Sequence, residues 1–205
     1  MAQEFKQPSL EQVQEAFRNA GSNPEIQTLL RTLYGDAVEV DNRPVTERIK
    51  SFEDALDELE VRAANGDNTA KMLYDDWHNV TTDSDDLIAY LQLRIITAAL
   101  NEGWEPQFTK GERRWYFWYD LITKEQYDKL SDKDKSRVVG RGGSNASAYY
   151  GLVCARACYA SSISGTYGGS RLAFKSEKLA AYAGRQFAEI YADFCFKPKL
   201  EETKG

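Results

Sequence analysis

The sequence predicts an α+β protein, with an N-terminal helical layer packed on a small antiparallel three-stranded sheet and a long C-terminal helix closing it. Three observations carry this reading. Apolar residues recur at spacings of three and four through most of residues 1–109. The run Trp115-Tyr116-Phe117-Trp118-Tyr119 is dense in aromatics, whose flat rings suit a pleated surface. Across Ser176 the apolar period changes from two to 3.6, as expected where a strand meets a helix.

The elements follow in order. Ser9 with Gln12 three positions on marks a helix start, and Gly21 is its stop. Asn23-Pro24 restarts the chain, with proline at the first helical position. Ile26, Leu29, Leu30 and Leu33 then share a side, and Gly35 ends that helix. Residues 36–46 have no sustained period and read as a connection. Ser51 and Asp54 form a capping-box pattern for a helix that runs to Asn65-Gly66 with Phe52, Ala55, Leu56 and Leu59 on its face. A short helix from about Thr69 to His78 uses Met72, Leu73 and Trp77. The next spans 83–101, with Thr82 as its cap and Leu87, Leu91, Ile95 and Ala98 as its stripe; Gly103 and Pro106 prevent its continuation.

The strand at 113–119 has aromatics on both faces, which predicts cover on both. Thr123 with Gln126 caps a short helix that holds Tyr127 and Leu130 inside, and Ser131 opens another turn. Residues 140–150 are small, polar and glycine-rich and read as a mobile loop. A strand at 152–161 would place Cys154, Arg156 and Cys158 on one face. After a connection at 162–169, a last strand covers 171–175. Ser176 caps the final helix, whose inward residues are Leu179, Tyr182, Ala183, Gln186, Phe187, Ile190, Tyr191 and Phe194. Residues 1–197 therefore read as one α+β domain with a helical part to 109, and 198–205 as a flexible tail. The alternative is two modules divided near 104–112.

Composition limits the function. The chain has 205 residues, of which 42% are hydrophobic and 28% charged, values that suggest neither disorder nor a membrane protein. The opening residues lack an apolar signal core, and no membrane partner is expected. The single histidine, His78, excludes His-rich zinc sites and schemes that need two histidines. The net charge of -6 is unevenly spread. Residues 1–109 hold 9 basic and 21 acidic residues, and residues 136–197 hold 8 and 3. Internal complementarity explains this best; a basic surface for an acidic partner is the functional alternative.

Each candidate motif has a plainer account. Gly140 to Asn145, with Arg141, could cradle an anion but lacks the phosphate-loop pattern and reads as a flexible loop. Ser170 with Arg171 could meet a phosphate; Ser176 reads as a helix cap. Cys154 and Cys158 lie four residues apart on one strand, roughly 13 Å between Cα atoms, too far for a disulfide. With three cysteines in all, free, buried thiols are expected. His78 with Asp75 falls short of a metal site, and the acids at 83–86 lack calcium-loop spacing. No cofactor is expected. Arg113, Arg114, Tyr116 and Trp118 could stack bases and neutralise phosphates, with Arg141, Arg156 and Arg171 extending a positive surface. Core packing is the plainer role for those rings.

Several segments resemble an uncharacterised protein family of gut Bacteroidetes and their tailed phages. They are Ser51 to Ala55, Ala98 to Pro106, the aromatic run at 115–119, Gly169 to Ser176, and Leu179 to Phe187. The resemblance spans roughly residues 48–196 and leaves 1–47 as an unmatched extension. It implies a phage or mobile-element context and transfers no residue role. The expected function is a non-enzymatic protein-interaction or virion-associated accessory role, in a host cytoplasm or assembled in a virion. The partner would be another protein, of phage or host, or a second copy. A nucleic-acid-binding accessory protein using the 113–119 strand is the alternative, and a hydrolase with an unusual site ranks third.

Overall fold

The computed structural model describes residues 8–20, 23–35, 43–140, 150–160 and 169–196. The chain divides into two units, Met1–Pro44 and Val45–Gly205.

The first unit is a helical pair. In α1 (Leu10–Asn19), the Ser9 hydroxyl accepts the Gln12 N–H while the Gln12 side chain accepts the Ser9 N–H, closing the box its sequence predicts. In α2 (Pro24–Tyr34), Asn23 caps the start and Gly35, at φ +75°, donates back to Arg31 O. Val13 and Phe17 pack with Leu30, and the Arg31 guanidinium lies 5.2 Å from the Phe17 ring centre. Ile26, Leu29 and Leu33 are exposed.

The second unit is α+β and contains a three-stranded antiparallel sheet of order β1-β3-β2. Its helical side comprises α3 (Val45–Arg48), α4 (Phe52–Ala64), α5 (Asn68–His78) and α6 (Asp85–Leu100). The turn α3 lies where no period was legible. Ser51 and Asp54 form the reciprocal cap of α4, and Asp67 caps α5. Thr82 does not cap α6. Its hydroxyl accepts the Ser84 N–H instead, and the helix starts at Asp85.

The stripe expected on α6 is also incomplete. Leu87 is exposed, Leu91 and Ile95 are buried, and so are Ala89, Leu93, Ile96 and Leu100. The helix packs against α4 and α5 and also against α10, so most of its circumference is interior. Met72, expected inside α5, is exposed. Trp77 is half-buried, 4.6 Å centre to centre from Phe52.

The sheet consists of β1 (Arg114–Ile122), β2 (Val138–Gly140) and β3 (Gly151–Ala160). Thr123 and Ser131 cap α7 (Lys124–Asp128) and α8 (Asp132–Lys135) as their spacing predicts, and Tyr127 and Leu130 are half-buried. Gly140 ends β2, whereas Arg141 and the rest of the expected loop lie outside the described residues.

The expected strand at 171–175 shortens to one bridge between Phe174 and Trp115. Leu172, Ala173 and Phe174 are buried in succession, which is incompatible with one face outward. Asn101, at the end of α6, holds this segment instead. Its Nδ2 donates to Ala173 O at 2.8 Å, and Lys175 N–H donates to its Oδ1 at 3.0 Å.

The final helix is likewise two helices, α9 (Glu177–Gln186) and α10 (Ala188–Cys195), which meet at Phe187 with φ -113° and ψ 30°. Gln186 is exposed and donates to Lys50 O, while Tyr182 donates to Ile49 O. Phe174, Leu179 and Phe187 are buried, and Tyr182, Ile190 and Phe194 are half-buried. The core thus runs from α4 through α6 to α9 and the inner face of β1.

Candidate functional site: an apolar groove at the sheet edge

One irregularity decides which side chains reach each face of the sheet. Trp118 pairs with Arg156, but Tyr119 pairs with Cys154, so β3 carries one extra residue, Ala155. Such a bulge reverses the alternation on its own strand only. Tyr119 and Cys154 both turn to α9, where the Tyr119 hydroxyl donates to Gly184 O at 2.5 Å and the Cys154 thiol lies 3.7 Å from the same oxygen. Arg156 and Cys158 stay exposed on the other face. The single face expected for Cys154, Arg156 and Cys158 is therefore broken between 154 and 156. All three cysteines are free thiols, but none is fully buried as expected: Cys158 and Cys195 are exposed and Cys154 is half-buried.

The aromatic strand is covered on one face. Phe117 packs on Gly184, and the Arg185 guanidinium lies 6.0 Å from its ring centre. On the other face Tyr116 is half-buried and donates to Gly169 O at 2.6 Å, while Trp118 is 44% exposed. The cover expected on both faces is incomplete at Trp118.

The predicted interaction residues that the structure describes differ in setting. Arg113 is exposed, with its guanidinium 4.8 Å from the Tyr159 ring centre. Arg114 is only 1% exposed; it lies 4.3 Å from the Phe108 ring centre and 3.6 Å from the Glu112 carboxylate, out of reach of a phosphate backbone. Arg156 stands opposite Trp118 on the open sheet face. Arg171 lines another cleft, with Ser170.

Tyr116 and Trp118 do converge, on a groove of about 360 Å³ between β1 and the end of α10. Leu121, Leu172, Phe194 and Phe196 line it with them. Leu121, like Trp118, is 44% exposed. The phenols at the floor are not acid–base groups near neutrality, because burial pushes both Tyr119 and Tyr191 far up. Partial desolvation also raises the thiol of Cys195, an exposed residue at the rim. The groove therefore offers apolar contact area rather than reactive groups.

Its upper wall is a strand edge. β1 is the outer strand on this side, and Trp115 exchanges both backbone bonds with Phe174 there, at 3.0 and 2.9 Å. Alternation turns the N–H and C=O groups of Phe117, Tyr119 and Leu121 to the same edge. Among the described residues no strand continues the pairing beyond Trp115. The sequence signalled the aromatic wall. It gives no sign of Leu172, Phe194 and Phe196 as the opposite wall, because period alone assigns Leu172 to a strand and Phe194 to a helix interior and leaves Phe196 unassigned.

Among the described residues there is no cluster of His, Cys, Asp or Glu able to hold a metal, and no helix long and apolar enough to cross a membrane. Compared with known proteins, the chain matches no family model, no curated protein and no solved structure.

Proposed function

We propose that the protein is a non-enzymatic recognition module that takes an extended apolar segment of another protein along the free edge of β1. The observation that carries this reading is the coincidence of a strand edge left unpaired among the described residues with an apolar groove containing Trp118 and Leu121. Strand addition uses these two features together: main-chain bonds give affinity, and alternate side chains enter the groove. A half-exposed tryptophan at such a rim is the residue type most enriched among interface anchors. The resemblance of residues 48–196 supports a phage or mobile-element setting, in the host cytoplasm or in a virion. Selection of displayed random peptides, followed by fluorescence polarisation, tests the reading. Selected peptides should carry apolar residues at alternate positions and lose about tenfold or more in affinity against Trp118→Ser. Failure of any peptide to saturate, or indifference to Trp118→Ser, would reject it.

A second reading rests on the Trp118–Arg156 pair, since a ring and a cation side by side on an open sheet face suit a stacked base and its phosphate. Binding to single- and double-stranded DNA across a salt series tests it. Sub-micromolar affinity near 0.15 M salt that falls steeply as salt rises and disappears in Arg113→Ala/Arg156→Ala would favour it.

A further inference from the structure

A second concavity of about 280 Å³ lies between α5, α6, the 101–106 turn and the 170–173 turn. Its residues differ in kind from those of the sheet-edge groove. Arg94 and Arg171 bring two guanidinium groups, Ser170 a hydroxyl, and Trp104, Met72 and Pro106 an apolar wall. The arginines come from different elements, Arg94 from the middle of α6 and Arg171 from the turn after Gly169. That turn is built for the purpose of holding its shape: Gly169 takes φ +55°, Ala173 N–H donates to Ser170 O, and Asn101 clips Ala173 and Lys175.

Neither guanidinium makes a hydrogen bond to an acid among the described residues. Arg94 has one ion pair there, with the Asp76 carboxylate at 3.8 Å, beyond hydrogen-bonding distance. Arg171 is exposed and makes no ion pair among the described residues. The acid at the rim, Glu105, accepts the Thr69 hydroxyl at 2.6 Å. Thr97 lies in the wall, 3% exposed, and its hydroxyl has no hydrogen-bond partner among the described residues. A buried polar group left unmet is unusual in a finished interior. Two guanidinium groups lining one cleft suit the planar or tetrahedral oxygens of a carboxylate or phosphate.

We propose that this cleft binds a small organic anion, a carboxylate or phosphate ester with an aromatic or apolar body. Arg94 and Arg171 hold its oxygens, and its body lies along Trp104 and Pro106. This site is independent of the sheet-edge groove, and either can fail without the other.

Calorimetric titration of the full chain with phenyl phosphate, benzoate and neutral benzyl alcohol tests the proposal, with tryptophan fluorescence as a second readout. At least one anion should bind saturably and weaken as salt rises, and benzyl alcohol should not bind. Preference for phenyl phosphate identifies a phosphate site, and preference for benzoate a carboxylate site. Arg171→Ala, at an exposed position, should keep the melting temperature and lose about tenfold or more in affinity, as expected for a charge-assisted bond. Arg94→Lys, which keeps the charge but loses the fork, should weaken binding as well. No saturation by about 10 mM of either anion, or equal binding by wild type and Arg171→Ala, would overturn the proposal.

Discussion

The Phe117 ring occupies the space in which a side chain on Gly184 would stand. A Cβ built on that glycine would overlap the ring atoms Cγ and Cδ1. Gly184 is buried in α9, and Phe117 comes from the inner face of β1, so helix and strand meet at the closest approach a bare backbone permits. The same glycine's carbonyl receives the Tyr119 hydroxyl. Sheet and helix are thus fastened at one point, directly behind the proposed docking edge.

Gly184→Ala should therefore destabilise the fold by about 1–3 kcal/mol, the usual cost of overpacking a tight contact. Denaturant titration measures it. A loss under about 0.5 kcal/mol would show that helix and strand are not in such close contact.

Asn101→Ala should cost about 2–4 kcal/mol, because it leaves the Ala173 carbonyl and the Lys175 N–H without their partners at a buried position. It should also weaken anion binding, since the turn that carries Arg171 loses its clip. Unchanged stability would mean that the clip does not hold this segment.

Phe187→Ala should cost about 3–5 kcal/mol, since the ring fills the core at the junction of α9 and α10. A loss below about 1 kcal/mol would reject the packing described for this junction.

These elements differ in how far they could be read from sequence. The boxes at Ser51–Asp54 and Thr123–Gln126 were legible because a cap is a local bond between residues three apart. The strand expected at 171–175 failed because its residues are buried on both sides by α6 and β1, a non-local fact that period two does not encode. Ala155 was invisible for a related reason, since a bulge is defined by the partner strand. In the groove, Tyr116 and Trp118 were legible as an aromatic signal. Arg114 misled because a guanidinium covered by Phe108 and Glu112 has the same sequence signature as one facing a phosphate.

Stability should fall in acid. The Lys50 and Ser51 N–H groups hold the Asp54 carboxyl below its ordinary value. Burial pushes Asp67 and Glu102 up, but the Ala70 N–H and Arg62 outweigh it for Asp67, as Lys175 and Arg48 do for Glu102, and both end below the usual range. A carboxyl depressed in the folded state contributes stability above its unfolded value and loses it as pH falls through the folded one. The denaturation midpoint should thus decline progressively from about pH 4 downward, and Asp67→Asn should flatten part of the decline. A midpoint constant from pH 5 to pH 2 would contradict these assignments.

If β1 receives a partner strand on its outer edge, that edge must lose its exchangeable amides on binding. Amide hydrogen exchange, read residue by residue with and without a display-selected peptide, measures this. The amides of Phe117, Tyr119 and Leu121 should become protected when peptide is added, and Trp118→Ser should abolish the change. Unaltered exchange at all three amides in the presence of a bound peptide would contradict it.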